Sequence, residues 1–300
     1  MKKNLLGNSG IRVSEIGFGC MSLPTDLKQA TAIIEEAIAQ GINYFDTADL
    51  YNKGTNEELV GKALKNHRKD IVLATKVGNE WSRDSDEVKW NATKPYITEQ
   101  VHNSLKRLQT DNIDLYQLHG GMITDNIDET IDAFESLKKE GLIREYGISS
   151  IRPNVIKRFL EKSDIASIMM QYSLFDRRPE EFLEQIGGSG KSVVTRGSLA
   201  KGLLTNEGPR RAAKMDGYMD YDAGELKAVI HQLMEVHDNL HALSLHSVLQ
   251  NKTVASVVAG ASSAQQIKDT IHAYETRVTA EQIEQAKQLT KKSRYQDHRK

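Results

Sequence analysis

"GINYFDTADLYNKGTNEELVGKAL", residues 41–64, reads as one complete structural unit. Gly41 supplies a stop for the helical pattern before it. "YFD" (44–46) is a short run that ends on a carboxylate, and "TNEELVGKAL" (55–64) opens with Thr55 and Glu58 at the spacing of a capping box. The stretch is therefore a buried strand, a loop and a helix. Asp46 stands where the strand leaves the core, and Tyr51 lies in the loop just beyond it.

The same unit recurs along the chain. Runs that read as strands are "IGFG" (16–19), "YFD" (44–46), "IVLATK" (71–76), "LYQLH" (115–119), "IREYGIS" (143–149), "SIMMQY" (167–172), "SVVTR" (192–196) and "SVVAG" (256–260), eight in all. Most lack strict polar alternation, as parallel strands buried on both faces do. Helical patterns lie between them. In 26–40, Ala30, Ile33, Ile34, Ala37 and Ile38 share one face, and Ile127, Ile131 and Phe134 mark another. Ser263 and Gln266 form a further capping box. Eight βα units in 300 residues predict an α/β protein built as a (β/α)8 TIM barrel, not an open doubly wound sheet.

The ends read as additions to that barrel. Residues 1–15 predict an N-terminal β-hairpin, turning at Asn8-Ser9-Gly10 and plugging the barrel's N-terminal mouth. The stretch 223–250 is long enough for two helices, and 279–300 reads as a C-terminal helix followed by a polar tail free to fray. No linker divides the chain, so residues 1–300 are expected to form a single domain.

Composition narrows the partners. The formal charge of −1 argues against a nucleic-acid or membrane-surface partner held by a basic field. One cysteine, Cys20, cannot form an internal disulfide and suits a reducing cytosol. The first apolar stretch stops at two leucines, too short for a signal peptide, and no run approaches the ~20 apolar residues of a spanning helix. A cytoplasmic location is expected. Nothing in these patterns specifies an oligomeric state.

Two stretches imitate nucleotide motifs and fail on context. "GGSGKS" (187–192) ends like a phosphate-binding loop, but Gln185 occupies the place of the first glycine and a strand follows it. "GFGCMS" (17–22) has Ser22 where a dinucleotide fingerprint needs its third glycine.

In a (β/α)8 barrel the reaction site lies at the C-terminal rim of the strands. Asp46 ends the second strand, Tyr51 follows it, Lys76 ends the third and His119 the fourth. Singly, each has an ordinary structural explanation as a cap, a packed ring or a solvated charge. Their joint arrival on neighbouring strand ends does not. A phenol, with pKa ~10, gives up its proton reluctantly near neutrality. A lysine cation ~4 Å away, at an effective dielectric of ~20, stabilises the phenolate by ~4 kcal/mol before desolvation. Asp46 would keep that ammonium charged, and a neutral His119 would orient a carbonyl oxygen toward the phenol. One carboxylate and one histidine are too few ligands for a metal, so none is expected.

"GINYFDTADLYNKGTNEELVGKAL", "IVLATK" and "NIDLYQLH" resemble, in this order and spacing, signature segments of the aldo-keto reductase superfamily. The similarity runs from about Arg12 to Ser263 and includes "GISSIRPN", "MMQYSLFDRR", "LAKGLLT" and "VVAGASSAQQI". It implies a barrel that reduces aldehydes or ketones with a nicotinamide dinucleotide, usually NADPH and otherwise NADH, bound without a Rossmann fold. A small carbonyl compound would be the substrate. By the family pattern Tyr51 would donate the proton, Lys76 and Asp46 would tune it, and His119 would orient the carbonyl, with hydride passing directly and no metal.

The resemblance also implies a cofactor site. Ser149, Ser150 and Gln171 would hold the nicotinamide carboxamide, with Cys20, Met21 and the catalytic Asp46 beside them. Ser198, Leu199 and Gly202 would border the pyrophosphate. Gly260, Ser262, Ser263, Gln266 and Thr270 would take the adenosine end, where amides opening a helix can meet an anion.

This chain departs from the family pattern at four places. Ser150 stands where asparagine is usual. Arg196 replaces an aromatic residue that stacks on the nicotinamide, a task a guanidinium plane can also perform. Gly120-Gly121 replaces a tryptophan-proline pair and opens one wall of the substrate pocket. Gly260 and Gln266 occupy positions that are often basic and grip the adenosine 2′-phosphate. Two loops remain. Trp81 and Trp90, in the long loop after the third strand, are candidates for the substrate wall. The segment "LLTNEGPRRAAKMDGYMDY" (203–221) reads as a belt over the cofactor with Arg210 and Arg211 near phosphate. The alternative reading is a non-catalytic nicotinamide-nucleotide-binding regulatory subunit, against which the intact set Asp46, Tyr51, Lys76 and His119 argues.

Overall fold

The computed structural model describes residues 1–299. Eight parallel strands close into a barrel: β1 (Ile16–Gly19), β2 (Tyr44–Asp46), β3 (Val72–Val77), β4 (Ile113–Leu118), β5 (Ile143–Ser149), β6 (Ser167–Gln171), β7 (Ser192–Arg196) and β8 (Val254–Gly260). Each pairs with its neighbour in chain order, and β8 returns to β1 through Val257–Ile16 to Gly260–Gly19. The (β/α)8 TIM barrel expected from the alternating pattern is the observed fold.

Helices cover the outside: α1 (Leu27–Ala39), α2 (Thr55–Leu64), α3 (Lys94–Leu108), α4 (Ile127–Lys139), α5 (Pro153–Lys162) and α6 (Leu183–Gly188). Beyond β7 come α7 (Gly208–Ala212), α8 (Ala223–Val236) and α9 (Leu240–Leu249), then α10 (Ala264–Glu275) and α11 (Ala280–Leu289). In α1 the expected face is buried at Ala30, Ile33, Ile34 and Ala37, with Ile38 half-buried, and Asp26 caps the helix by accepting from the Gln29 N–H at 2.9 Å. The largest apolar cluster lies between strands and helices. A second fills the barrel's lower interior, where Leu6, Ile11 and Val13 pack with Tyr44, Val72 and Leu115. Those first three residues belong to the N-terminal hairpin (Lys3–Leu5 with Arg12–Ser14), which plugs the barrel as expected.

Three local expectations are corrected. Thr55 and Glu58 form no capping box: the cap of α2 is Gly54 at φ 80°, a conformation that favours glycine, and Glu58 instead pairs with Arg83 at 2.5 Å. At α10 Ser263 accepts from the Gln266 N–H, but the Gln266 side chain bonds Ser262 in place of Ser263. The tail does not fray over the described residues. Tyr295 is buried beneath the Arg178 guanidinium, the Asn154 N–H donates to the His298 carbonyl at 2.8 Å, and Arg299 pairs with Glu181. One aromatic anchor in a polar segment outweighs the entropy that favours fraying.

Candidate active site

Burial fixes the first half of the rim. Lys76, near the end of β3, is 1% exposed, and its ammonium meets Asp46 in an ion pair, donates to the Thr47 carbonyl at 2.7 Å and reaches the Tyr51 hydroxyl at 3.4 Å. Burial opposes the charge on Lys76, but Asp46 and Tyr51 hold its pKa above the ordinary lysine value. Burial also raises the pKa of Asp46, and Lys76 pulls it back. The pair remains ionic because each partner has further hydrogen bonds, which a buried charge requires. His119 follows β4, its ring edge-on to Tyr51 with centroids 5.9 Å apart. Burial, then Lys76 and Arg196, push its pKa down to about 3, so the imidazole is neutral near neutrality. The structure thus brings Asp46, Tyr51, Lys76 and His119 together.

Several supporting groups were not anticipated. Gln117 donates to Asp46 Oδ2 at 3.2 Å, and a polar residue inside the run "LYQLH", two positions before His119, was its signal. Asn56 bonds Thr47 Oγ1 at 2.6 Å and the Cys20 carbonyl at 2.9 Å, tying the loops after β1 and β2 together. Cys20 itself is fully buried, with burial and Asp46 keeping it a thiol, whereas Met21 beside it is 62% exposed.

The other half of the rim is more open. Ser149 and Ser150 are buried at the end of β5, and Gln171 ends β6 half-exposed with Arg196 beside it. Hydroxyls and an amide are a donor set that fits a primary carboxamide. Ser198 is buried, hydrogen-bonded to Thr195 at 3.0 Å, with Leu199 and Gly202 following it. Ser262 and Gln266 are exposed and bonded to one another, Gly260 is exposed, and Thr270 is buried with its hydroxyl on the Gln266 carbonyl. Lys268 pairs with Glu36 at 3.5 Å. In the belt, Arg210 pairs with Glu207, and Arg211 packs by Gly202.

The long loop after β3 is a hairpin, Asn79–Ser82 with Ser85–Trp90. Trp90 lies over Gly78 and Gly120, where a Cβ would come within 2.9 and 3.1 Å of the indole, and its N–H donates to Asp125 at 2.8 Å. Trp81 lies against Gly54 in the loop that carries Tyr51, where a Cβ would come within 2.9 Å of the indole, and the Arg107 guanidinium is 5.6 Å above its ring. Of the glycine pair after His119, Gly120 thus packs against a tryptophan from another loop, while Gly121 faces Val155.

A parallel barrel with a lysine–carboxylate–phenol–imidazole set on its rim defines a class of oxidoreductase. The Aldo/keto reductase family model matches residues 15–291, and the chain belongs to that family. It is 52% identical to the uncharacterized oxidoreductase YqkF of Bacillus subtilis, with 100% of each chain covered. It is 30% identical to L-galactose dehydrogenase of Arabidopsis thaliana, over 89% of this chain and 86% of that protein. The holo form of aldo-keto reductase AKR11C1 from Bacillus halodurans superposes with a TM-score of 0.94 at 52% identity, covering 100% of both chains. The family's general chemistry is carbonyl reduction with a nicotinamide cofactor. Among the described residues no helix is long and apolar enough to cross a membrane.

Proposed function

We propose that this chain reduces small aldehydes or ketones to alcohols, with Tyr51 as the proton donor. The observation that carries this reading is the Lys76 ammonium, held between Asp46 and the Tyr51 hydroxyl 3.4 Å away. As Tyr51 releases its proton to the carbonyl oxygen, negative charge develops on the phenol beside a fixed cation, in a site where burial strengthens the attraction. Asp46 keeps Lys76 charged and aimed. His119, being neutral, retains one N–H with which to hydrogen-bond the carbonyl oxygen and hold it toward Tyr51.

The bound dinucleotide, NADPH or NADH, supplies the hydride. Ser149, Ser150 and Gln171 would hold its carboxamide, with Met21 and Arg196 beside the ring. Ser198, Leu199 and Gly202 would border the pyrophosphate. Gly260, Ser262, Ser263 and Gln266 would take the adenosine end. Trp90, with Trp81, would form the substrate wall. Residues 1–300 act as a single domain, and the buried thiol of Cys20 suits the cytoplasm. The test is NADPH oxidation with a small aldehyde by Tyr51→Phe. Turnover is expected to fall by about 10²–10⁴-fold, the usual worth of a positioned acid, with dinucleotide affinity unchanged. Undiminished turnover would remove Tyr51 as the acid.

A further inference from the structure

Gln171 has both ends of its amide engaged. Nε2 donates to Asp176 Oδ2 at 3.0 Å, and Oε1 accepts from Arg196 Nη1 at 2.8 Å. Chemistry dictates this orientation. A carboxylate only accepts and a guanidinium only donates, so the amide nitrogen must face Asp176 and the oxygen Arg196. Asp176 is itself immobilised. It is fully buried, Arg178 grips both its oxygens at 2.7 Å, and its backbone N–H donates to Ser173 Oγ at 3.1 Å. Arg178 in turn lies 4.9 Å over the buried Tyr295 ring. A chain of contacts therefore runs from the C-terminal segment through Arg178 and Asp176 to the rim.

We propose that Asp176 is a positioning residue that fixes which end of the Gln171 amide faces the cofactor site. With one N–H on Asp176 and the other reaching the Met219 sulfur at 3.8 Å, Gln171 offers its carbonyl oxygen, whose second lone pair can accept an N–H. The site therefore selects a ring substituent that donates a proton, a primary carboxamide, over a methyl ketone of the same size. This inference rests on the reading that the rim binds a nicotinamide dinucleotide. Asp176 touches no ligand and acts through Gln171.

The test compares dissociation constants, read by quenching of tryptophan fluorescence, for NADPH and for its reduced 3-acetylpyridine analogue. Wild type is expected to bind NADPH about tenfold more tightly, the worth of one hydrogen bond. Asp176→Asn sets a group that can donate or accept against Gln171, so the gap should shrink to about twofold. Arg178→Met releases Asp176 without touching Gln171 and should also narrow the gap. It decides the matter if the first variant does not fold. A gap unchanged in the variants, even with a lowered thermal midpoint, would mean the network is only structural and would overturn the proposal. Wild type that binds both dinucleotides equally also overturns it, while leaving the carbonyl-reduction reading intact. Wild type that binds neither overturns that reading together with this one.

Discussion

The two halves of the rim are built on opposite terms. At the ends of β2, β3 and β4 the charged groups are buried and satisfied by each other, with Lys76 1% exposed between Asp46, Thr47 and Tyr51. Past β6, polar groups such as Arg196, Ser262 and Gln266 are exposed and bonded to their neighbours. A charge out of water must be matched when the chain folds, so the buried half is preorganised for chemistry. An exposed group can exchange its partners at small cost, which suits a surface that receives and releases a large ligand.

The sharpest test of this contrast removes one cation from each half. Lys76→Met is expected to lower turnover about 10³-fold and unfolding free energy by about 3–5 kcal/mol, because Asp46 is left buried without its partner. Arg196→Met should change stability by less than about 0.5 kcal/mol. Urea titrations that give the two variants equal losses would break the comparison.

Acid should also unpick the buried half first. His119 titrates at about 3 in the fold against an ordinary 6.5, so its neutral ring contributes stability above pH 6.5. That stability is lost as pH falls toward 3, because the unfolded chain takes up a proton the folded ring refuses. The loss is on the order of 4 kcal/mol. His119→Phe should remove this slope when unfolding is measured at pH 7 and pH 4, and an undiminished slope would assign acid sensitivity to other groups.

The Trp90 contacts in the loops after β3 and β4 should show intermediate effects. Gly120→Ala adds a Cβ at φ 138° against the Trp90 ring and is expected to destabilise by about 1–3 kcal/mol. Asp125→Ala should shift the tryptophan emission to the red with a loss of about 1 kcal/mol, as the indole N–H loses its partner. Emission unchanged from wild type would show that packing alone holds Trp90. The smallest effect is expected in the exposed half. Gln266→Arg should raise the preference for NADPH over NADH by about tenfold, read as a ratio of dissociation constants, with stability unmoved.

Much of this was legible in the chain. The period of strand and helix, read outward from residues 41–64, was enough for the barrel, because burial on both faces leaves an apolar run that survives in sequence. Asp46, Tyr51, Lys76 and His119 were legible because each stands at or just beyond a strand end, and the barrel sends all such ends to one rim. The cap of α2 was misread because Thr55 and Glu58 have the right spacing, while the loop before them turns on Gly54. The tail was misread because seven polar neighbours masked Tyr295.

What the sequence determined by itself was periodicity and local chemistry: eight βα repeats, and which residue types stand at their ends. Only the tertiary structure decided that Trp90 covers Gly120, that Gln117 steadies Asp46 and that Asp176 turns the amide of Gln171. The reason is that side-chain contacts across the fold depend on directions and distances between distant segments, and these exist only once the barrel has closed.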